Sequence, residues 1–314
     1  MSSISNVEVC AASRIYDEAA DYMYSLPQSV LEGFLSGKAF DNSEVYSLDE
    51  SRRLYDDINE IYQTILALDP IKANLAVMTA GAPGSGKTIK MLQDLAEAST
   101  LRRNYAYICP DDVCLKTQRR TYIADIAKSD ESKESRQAAY NKWRPGSNGA
   151  SHLILGNLIR NKYAFYFGTT STGPATGKFF DFLKKQGYQI KLIYISAPDE
   201  VRWESIKERD KTFVQTTEKD VREKGLLLPQ RIMDTFLAYA DEIEFYYRNE
   251  VYADAILSAK WIRSTEPTEA LGTLQVISPP QYEQIKAIHN AATEVLDRAD
   301  LHWESTIEKC SIIL

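Results

Sequence analysis

Apolar residues recur along the chain at two periods. Short runs, continuous or alternating, fall at 74–80, 104–109, 163–167, 189–195 and 253–257, and each reads as a strand. Between them, apolar residues return at helical spacing. Met91, Leu92 and Leu95 lie on one side of 89–98, and Phe179, Phe180, Phe182 and Leu183 mark 177–186. Helical spacing also predicts helices over 151–159, 199–209 and 232–247. Strands that alternate with helices predict an α/β fold, with a mostly parallel sheet carrying helices on both faces.

The chain before this alternation is helical in pattern. Ser47 with Glu50 three residues later is a capping-box start. Leu54, Ile58, Ile61, Tyr62, Ile65 and Leu66 then repeat at helical spacing until Asp69-Pro70 stops the helix. Shorter helices are expected at 16–23 and 29–35. The segment 115–148 is polar and charged and reads as a solvated helical surface. Residues 210–230, charged and then apolar, fit a mobile flap. Ser278-Pro279-Pro280 breaks the chain before a last amphipathic helix over 281–298. The expected organisation is a helical N-terminal extension over 1–45, the α/β domain over 46–265, and a C-terminal helix and tail over 266–314.

One stretch carries chemistry of its own. Gly81-Ala82-Pro83-Gly84-Ser85-Gly86-Lys87-Thr88 joins an apolar strand to a helix, which is the context a phosphate-binding P-loop requires. Its glycines let the backbone turn so that successive N–H groups face an anion. The helix N-terminus adds positive partial charge. Lys87 is expected on the β- and γ-phosphates, and the Thr88 hydroxyl on Mg²⁺. The motif implies a nucleoside triphosphate, ATP or GTP, and leaves the acceptor open.

Composition narrows the partners. The formal charge is −7, from 37 basic and 44 acidic residues. That balance argues against a surface that coats nucleic acid. Three histidines, and cysteines at 10, 109, 114 and 310, show no zinc-type spacing. They suit free thiols in a reducing, cytoplasmic setting. No signal-peptide pattern is seen, and no run approaches the ~20 apolar residues of a membrane span.

Phosphoryl transfer needs a cradle, a metal, a carboxylate for the acceptor hydroxyl and cations on the moving group. In parallel sheets these gather at the carboxyl ends of strands. Four segments qualify: the P-loop, 110–112, 168–172 and 196–198. Asp111 and Asp112 close the second strand, where one serves as base and the other caps or supports the turn. Thr169, Thr170, Ser171 and Thr172 offer hydroxyls to an acceptor or to their own turn. Arg202, Lys207, Arg209, Lys211, Lys219, Arg222 and Lys224 lie on the flap or the helix before it. Most are expected as solvated surface, with one or two arginines closing on phosphate.

The chain resembles the zeta-toxin family of P-loop kinases over about residues 50–265. The resemblance rests on the helical lead-in, Ala80 to Thr88, Cys109-Pro110-Asp111-Asp112-Val113, Tyr166-Phe167-Gly168-Thr169 and Ile206-Lys207-Glu208-Arg209. It implies transfer of the ATP γ-phosphate to a hydroxyl of a sugar nucleotide such as UDP-N-acetylglucosamine. Lys87 and Thr88 then match the P-loop pair, and Asp111 the general base, with Asp112 the alternative. Arg209 matches an arginine on the helix leading into the flap, and Arg222 a second one once a short insertion is allowed. Phe167 stands where the sugar-nucleotide kinases carry Glu, so UDP-N-acetylglucosamine is expected to be a poor acceptor. The family also implies an antitoxin-like protein partner, a role residues 1–45 could fill in cis. Two other readings stay open: a P-loop kinase with a different acceptor, and a non-catalytic nucleotide-binding switch.

Overall fold

The computed structural model describes residues 46–130, 132–173, 176–211, 218–265 and 270–314. The helices expected at 16–23 and 29–35 lie outside the described residues, as do residues 212–217 of the expected flap. In chain order the main elements are α1 (Leu48–Ala67), β1 (Leu75–Ala80), α2 (Lys87–Thr100), β2 (Ala106–Ile108), α3 (Lys133–Arg160) and β3 (Phe165–Phe167). They continue with α4 (Thr176–Lys185), β4 (Gln189–Ser196), α5 (Asp199–Asp210), α6 (Glu218–Leu226) and β5 (Glu242–Tyr247). The chain closes with β6 (Ile256–Arg263), β7 (Gly272–Val276), α7 (Pro279–Val295) and β8 (Ser311–Ile313). The described residues divide into two units, one drawn from 46–74 and 97–167, the other from 75–96 and the chain after 168.

In the second unit the strands lie in the order β1-β4-β5-β6-β7-β8. β1, β4 and β5 are parallel, so Ala80, Ser196 and Tyr247 end on one edge. β6 and β7 then run antiparallel to their neighbours, and β8 lies parallel to β7. α7 supplies Tyr282 and His289 to an aromatic cluster around Trp303, which meets Phe245 edge-on at 5.1 Å between centroids.

The helix expected over 232–247 is corrected by this sheet. The helical turns stop at Tyr239, and Glu242–Tyr247 is strand β5. The Asp241 N–H donates to Ile190 O at 2.8 Å, and the Asp241 carboxylate accepts the Ile190 N–H at 2.7 Å. Lys184 holds the same carboxylate at 2.7 Å. This docking starts β5 against β4, where Ile243, Phe245 and Tyr247 are buried, and burial in a sheet overrides helical spacing. The strand expected at 253–257 shifts to β6. β7 and β8 fall within the part expected as helix and tail alone, and their brevity gave no pattern to read.

In the first unit, α1 begins at the Ser47 capping box and buries Leu54, Ile58, Ile61, Tyr62 and Ile65. Such a cap is worth about 1 kcal/mol. β2 and β3 pair in parallel. The segment expected as solvated surface runs into α3, a 28-residue helix with Pro145 inside it; in the shared part only Ala139, Trp143, Gly146 and Ser147 are buried, whereas 149–159 beyond it are buried throughout. Proline removes a helical N–H and displaces the turn before it. Here the Tyr46 hydroxyl enters the ladder one step on, accepting from Gly146 N–H at 3.1 Å and donating to Lys142 O at 2.5 Å. A Cβ on Gly146 would sit 2.9 Å from that hydroxyl.

Candidate functional site

In the second unit the P-loop follows β1 and runs into α2, whose first residue is Lys87. Gly84 has φ +82°, and a Cβ there would collide with the backbone oxygen of Arg202. Only glycine meets both conditions without strain. Lys87 Nζ donates to Gly81 O and Ala82 O, each at 2.8 Å. Arg202 Nε donates to Pro83 O at 3.3 Å, and its Nη2 donates to Val221 O at 3.0 Å, tying the loop to α6. Arg248, the residue after β5, donates to Gly84 O at 2.5 Å. Four consecutive loop carbonyls are thus held by cations.

The 168–172 segment converges on the same edge. Thr79 Oγ1 accepts the Thr169 N–H at 2.9 Å and donates to Thr169 O at 2.7 Å. Gly81 N–H donates to Thr170 O at 3.3 Å, and the hydroxyls of Thr170 and Thr172 lie 2.9 Å apart. Arg248 N–H donates to Ser196 O at 3.0 Å. The cradle, Thr169, Thr170 and the end of β4 therefore meet, as the strand order requires. Thr88 is half-buried in the first turn of α2. Among the described residues no group of three or more His, Cys, Asp or Glu forms a metal cage. A lone hydroxyl such as that of Thr88 is a hard oxygen donor of the kind that P-loops offer to a phosphate-borne Mg²⁺.

In the first unit, Asp111 and Asp112 sit in the turn Pro110–Cys114 that follows β2. Their surroundings differ. Asp112 accepts from the Tyr107 hydroxyl at 3.2 Å and from Lys116 at 3.1 Å. Asp111 Oδ1 lies 2.5 Å from Arg144 Nε of α3. Ser147, one turn on, donates to Pro110 O, so α3 grips the turn at two points. Burial opposes the charge on Arg144, yet Asp111, with Tyr140 and Cys109, raises its pKa overall. Burial, then Asp111, pushes the Cys109 thiol up to about 11. Cys109, Cys114 and Cys310 are free thiols. Phe167, the last residue of β3, is 1% exposed.

A family model described as Zeta toxin matches residues 59–244, more than half of the chain. The chain belongs to the Zeta toxin family. With that membership goes the P-loop kinase class. The AvrRxo1-ORF1:-ORF2 complex in its native form shares the fold at a TM-score of 0.56 and 15% identity, covering 93% of this chain and 94% of that one. The same pair with ATP gives a TM-score of 0.53 at 15% identity, covering 85% and 81%. A structure of the PezAT toxin–antitoxin system of Streptococcus pneumoniae gives 0.47 at 15% identity, covering 79% and 97%. No curated protein matches.

The Zeta toxin positions expected from sequence divide between the units. Gly81 to Thr88, Thr169, Thr170, Arg209 and Arg222 fall in the second, and Asp111, Asp112 and Phe167 in the first. Arg209 lies two turns along α5 from Arg202, beside Asp210 at 3.3 Å. Arg222 lies on α6 and is exposed. Three residues escaped sequence reasoning. Arg202, counted among the flap cations, is 7% exposed and grips the loop. Arg144 lies in the 115–148 segment, whose charges are expected mostly as solvated surface. Arg248 went unseen because β5 read as helix. Its place, one residue past a parallel strand, would have marked it had the strand been recognised.

No helix among the described residues is long and apolar enough to cross a membrane.

Proposed function

We propose that this chain is a kinase that moves the γ-phosphate of ATP or GTP to a hydroxyl of a small molecule, with sugar nucleotides the class its family suggests. The observation that carries the reading is the phosphate cradle, whose backbone is locked at Gly84 and whose first four carbonyls are held by cations. In this reading Lys87 meets the β- and γ-phosphates. The Thr88 hydroxyl would hold Mg²⁺, which when bound would supply charge neutralisation to the phosphates. Asp111 takes the proton of the acceptor hydroxyl as its oxygen bonds to the γ-phosphorus. The bond to the bridging oxygen breaks, and ADP or GDP leaves. Asp112 supports the turn, because Tyr107 and Lys116 already engage it. Arg209 and Arg222 steady the transferring group, and Thr169, Thr170 and Phe167 belong to the acceptor side. With phenylalanine in place of glutamate at 167, UDP-N-acetylglucosamine is a poor acceptor. An antitoxin-like protein partner remains part of the proposal through the family. Removal of residues 1–45 tests the role in cis, and unchanged ATP affinity and activity would dismiss it.

The test incubates the protein with ATP, Mg²⁺ and a metabolite extract and follows phosphate gain by mass spectrometry. Lys87→Ala abolishes transfer. Asp111→Ala abolishes transfer while ATP binding survives, and Asp112→Ala keeps measurable turnover. Full turnover by Asp111→Ala would move the base to Asp112. No phosphorylated metabolite from the unaltered protein would favour a nucleotide-binding switch or a macromolecular acceptor.

A further inference from the structure

Arg248 is 3% exposed. Its Nη2 donates to Gly84 O at 2.5 Å and to Ser205 Oγ at 2.6 Å. Its Nε is buried with no hydrogen-bond partner. The Arg248 side chain packs beside Gly86, where a Cβ would come within 3.2 Å of Cδ and Nε. Among the described residues no carboxylate pairs with it. Arg202, its counterpart on the same loop, has Asp199 at 2.8 Å. Burial lowers the Arg248 pKa, and no acidic neighbour raises it again.

A buried charge with no counter-charge is costly. The fold bears that cost beside a loop built for an anion. Arg248 and Lys87 together occupy carbonyls at the start and the middle of the loop, which keeps those oxygens from repelling a phosphate. The missing counter-charge and the expected ligand therefore have the same sign and the same place.

We propose that Arg248 is a positioning residue of the nucleotide site, holding Gly84 and Gly86 in the anion-binding conformation with a buried charge that the bound phosphates balance. This rests on the nucleotide-binding part of the proposed function and is independent of the acceptor. A merely structural arginine and a charge waiting for its counter-ion differ in sign. Replacing an uncompensated buried cation with an apolar side chain of similar length leaves the ligand-free protein as stable or more stable. Replacing a structural arginine destabilises it.

The experiment uses the full chain with Arg248→Met and Arg248→Lys. Thermal unfolding without ligand is combined with calorimetric titration of ATP and of inorganic tripolyphosphate at 25 °C, at two salt concentrations. Arg248→Met is expected to keep or raise the ligand-free melting temperature and to weaken both ligands about tenfold or more, the scale of one lost charge-assisted contact. Its affinity also depends less on salt. Arg248→Lys recovers part of the loss. If the methionine variant does not fold, Arg248→Gln carries the same binding expectation. Unchanged ATP affinity in a folded neutral variant overturns the inference and leaves the kinase reading intact. Failure of the unaltered protein to bind ATP or tripolyphosphate overturns the nucleotide reading itself.

Discussion

The cradle and the Asp111 turn are built by different means. Around the cradle, backbone does the recognising. Gly84 has one permissible residue type, and side chains from α2, α5 and the end of β5 serve to hold main-chain oxygens. Around Asp111, side chains do the recognising. The carboxylate pairs with Arg144, which lies beside Pro145 and the turn where the Tyr46 hydroxyl enters the helix. A phosphate site can be specified by eight consecutive residues. The setting of Asp111 needs contacts drawn from residues up to about a hundred positions apart.

Paired glycine substitutions offer the largest test of that contrast. Gly84→Ala imposes a positive φ on alanine and drives its Cβ into backbone that cannot yield. A stability loss of about 3–5 kcal/mol is expected, with ATP binding abolished. Gly146→Ala meets the ends of two side chains, Leu54 and Tyr46, which can shift. Its cost is about 1–3 kcal/mol, with ATP affinity kept. Thermal unfolding and calorimetry report both. An equal loss of ATP affinity in Gly146→Ala would erase the distinction.

Acid sharpens the comparison by showing what the two units share. Burial lowers the pKa of His289 to about 4 in the second unit. In the first unit, burial and then Arg144 lower that of His152 to about 4. Both folded values lie below the unfolded value near 6.5, so the neutral ring is the form each fold accepts. The stability tied to each is present above about pH 6.5 and drains as pH falls towards 4. Its upper limit is about 3 kcal/mol per histidine. His289 Nε2 donates to Leu301 O at 2.7 Å, which leaves Nδ1 buried and unmatched. Denaturant unfolding across pH 4–7 should flatten in His289→Gln and in His152→Gln. An unchanged slope in both would mean that other groups carry the acid loss.

Much of the second unit was legible in sequence because its signals are local. The P-loop, β1, β4 and the capped start of α1 in the first unit are each written in adjacent residues. β5 was not legible. Glu242 to Tyr247 continues a helical spacing and becomes a strand only because Asp241 docks on Ile190. That single misreading hid Arg248. α3 was obscured for another reason. Gly146, Ser147, Gly149, Ala150 and Ser151 are buried for their small size, and small residues carry no hydrophobic period. Arg144 was hidden with them. The proposed base was legible only as one of two adjacent aspartates, whose partners differ in the fold.

The smallest effect probes the Asp111 turn through the inserted hydroxyl of Tyr46. Tyr46→Phe removes one hydroxyl and leaves the ring stacked on Trp143, 4.8 Å between centroids. Gly146 N–H loses its acceptor and Lys142 O its donor. The helix can recover part of this by closing its own i→i−4 bond, so the cost is about 1 kcal/mol, or about 2–4 °C in melting temperature. Closing that bond re-aims the turn that carries Arg144, two residues from each end of the inserted hydroxyl. Turnover should therefore fall while ATP affinity stays as it was, the reverse of Arg248→Met, whose loss is in binding. A Tyr46→Phe variant that lost ATP affinity and kept its turnover number would show that α3 serves the nucleotide and not the base.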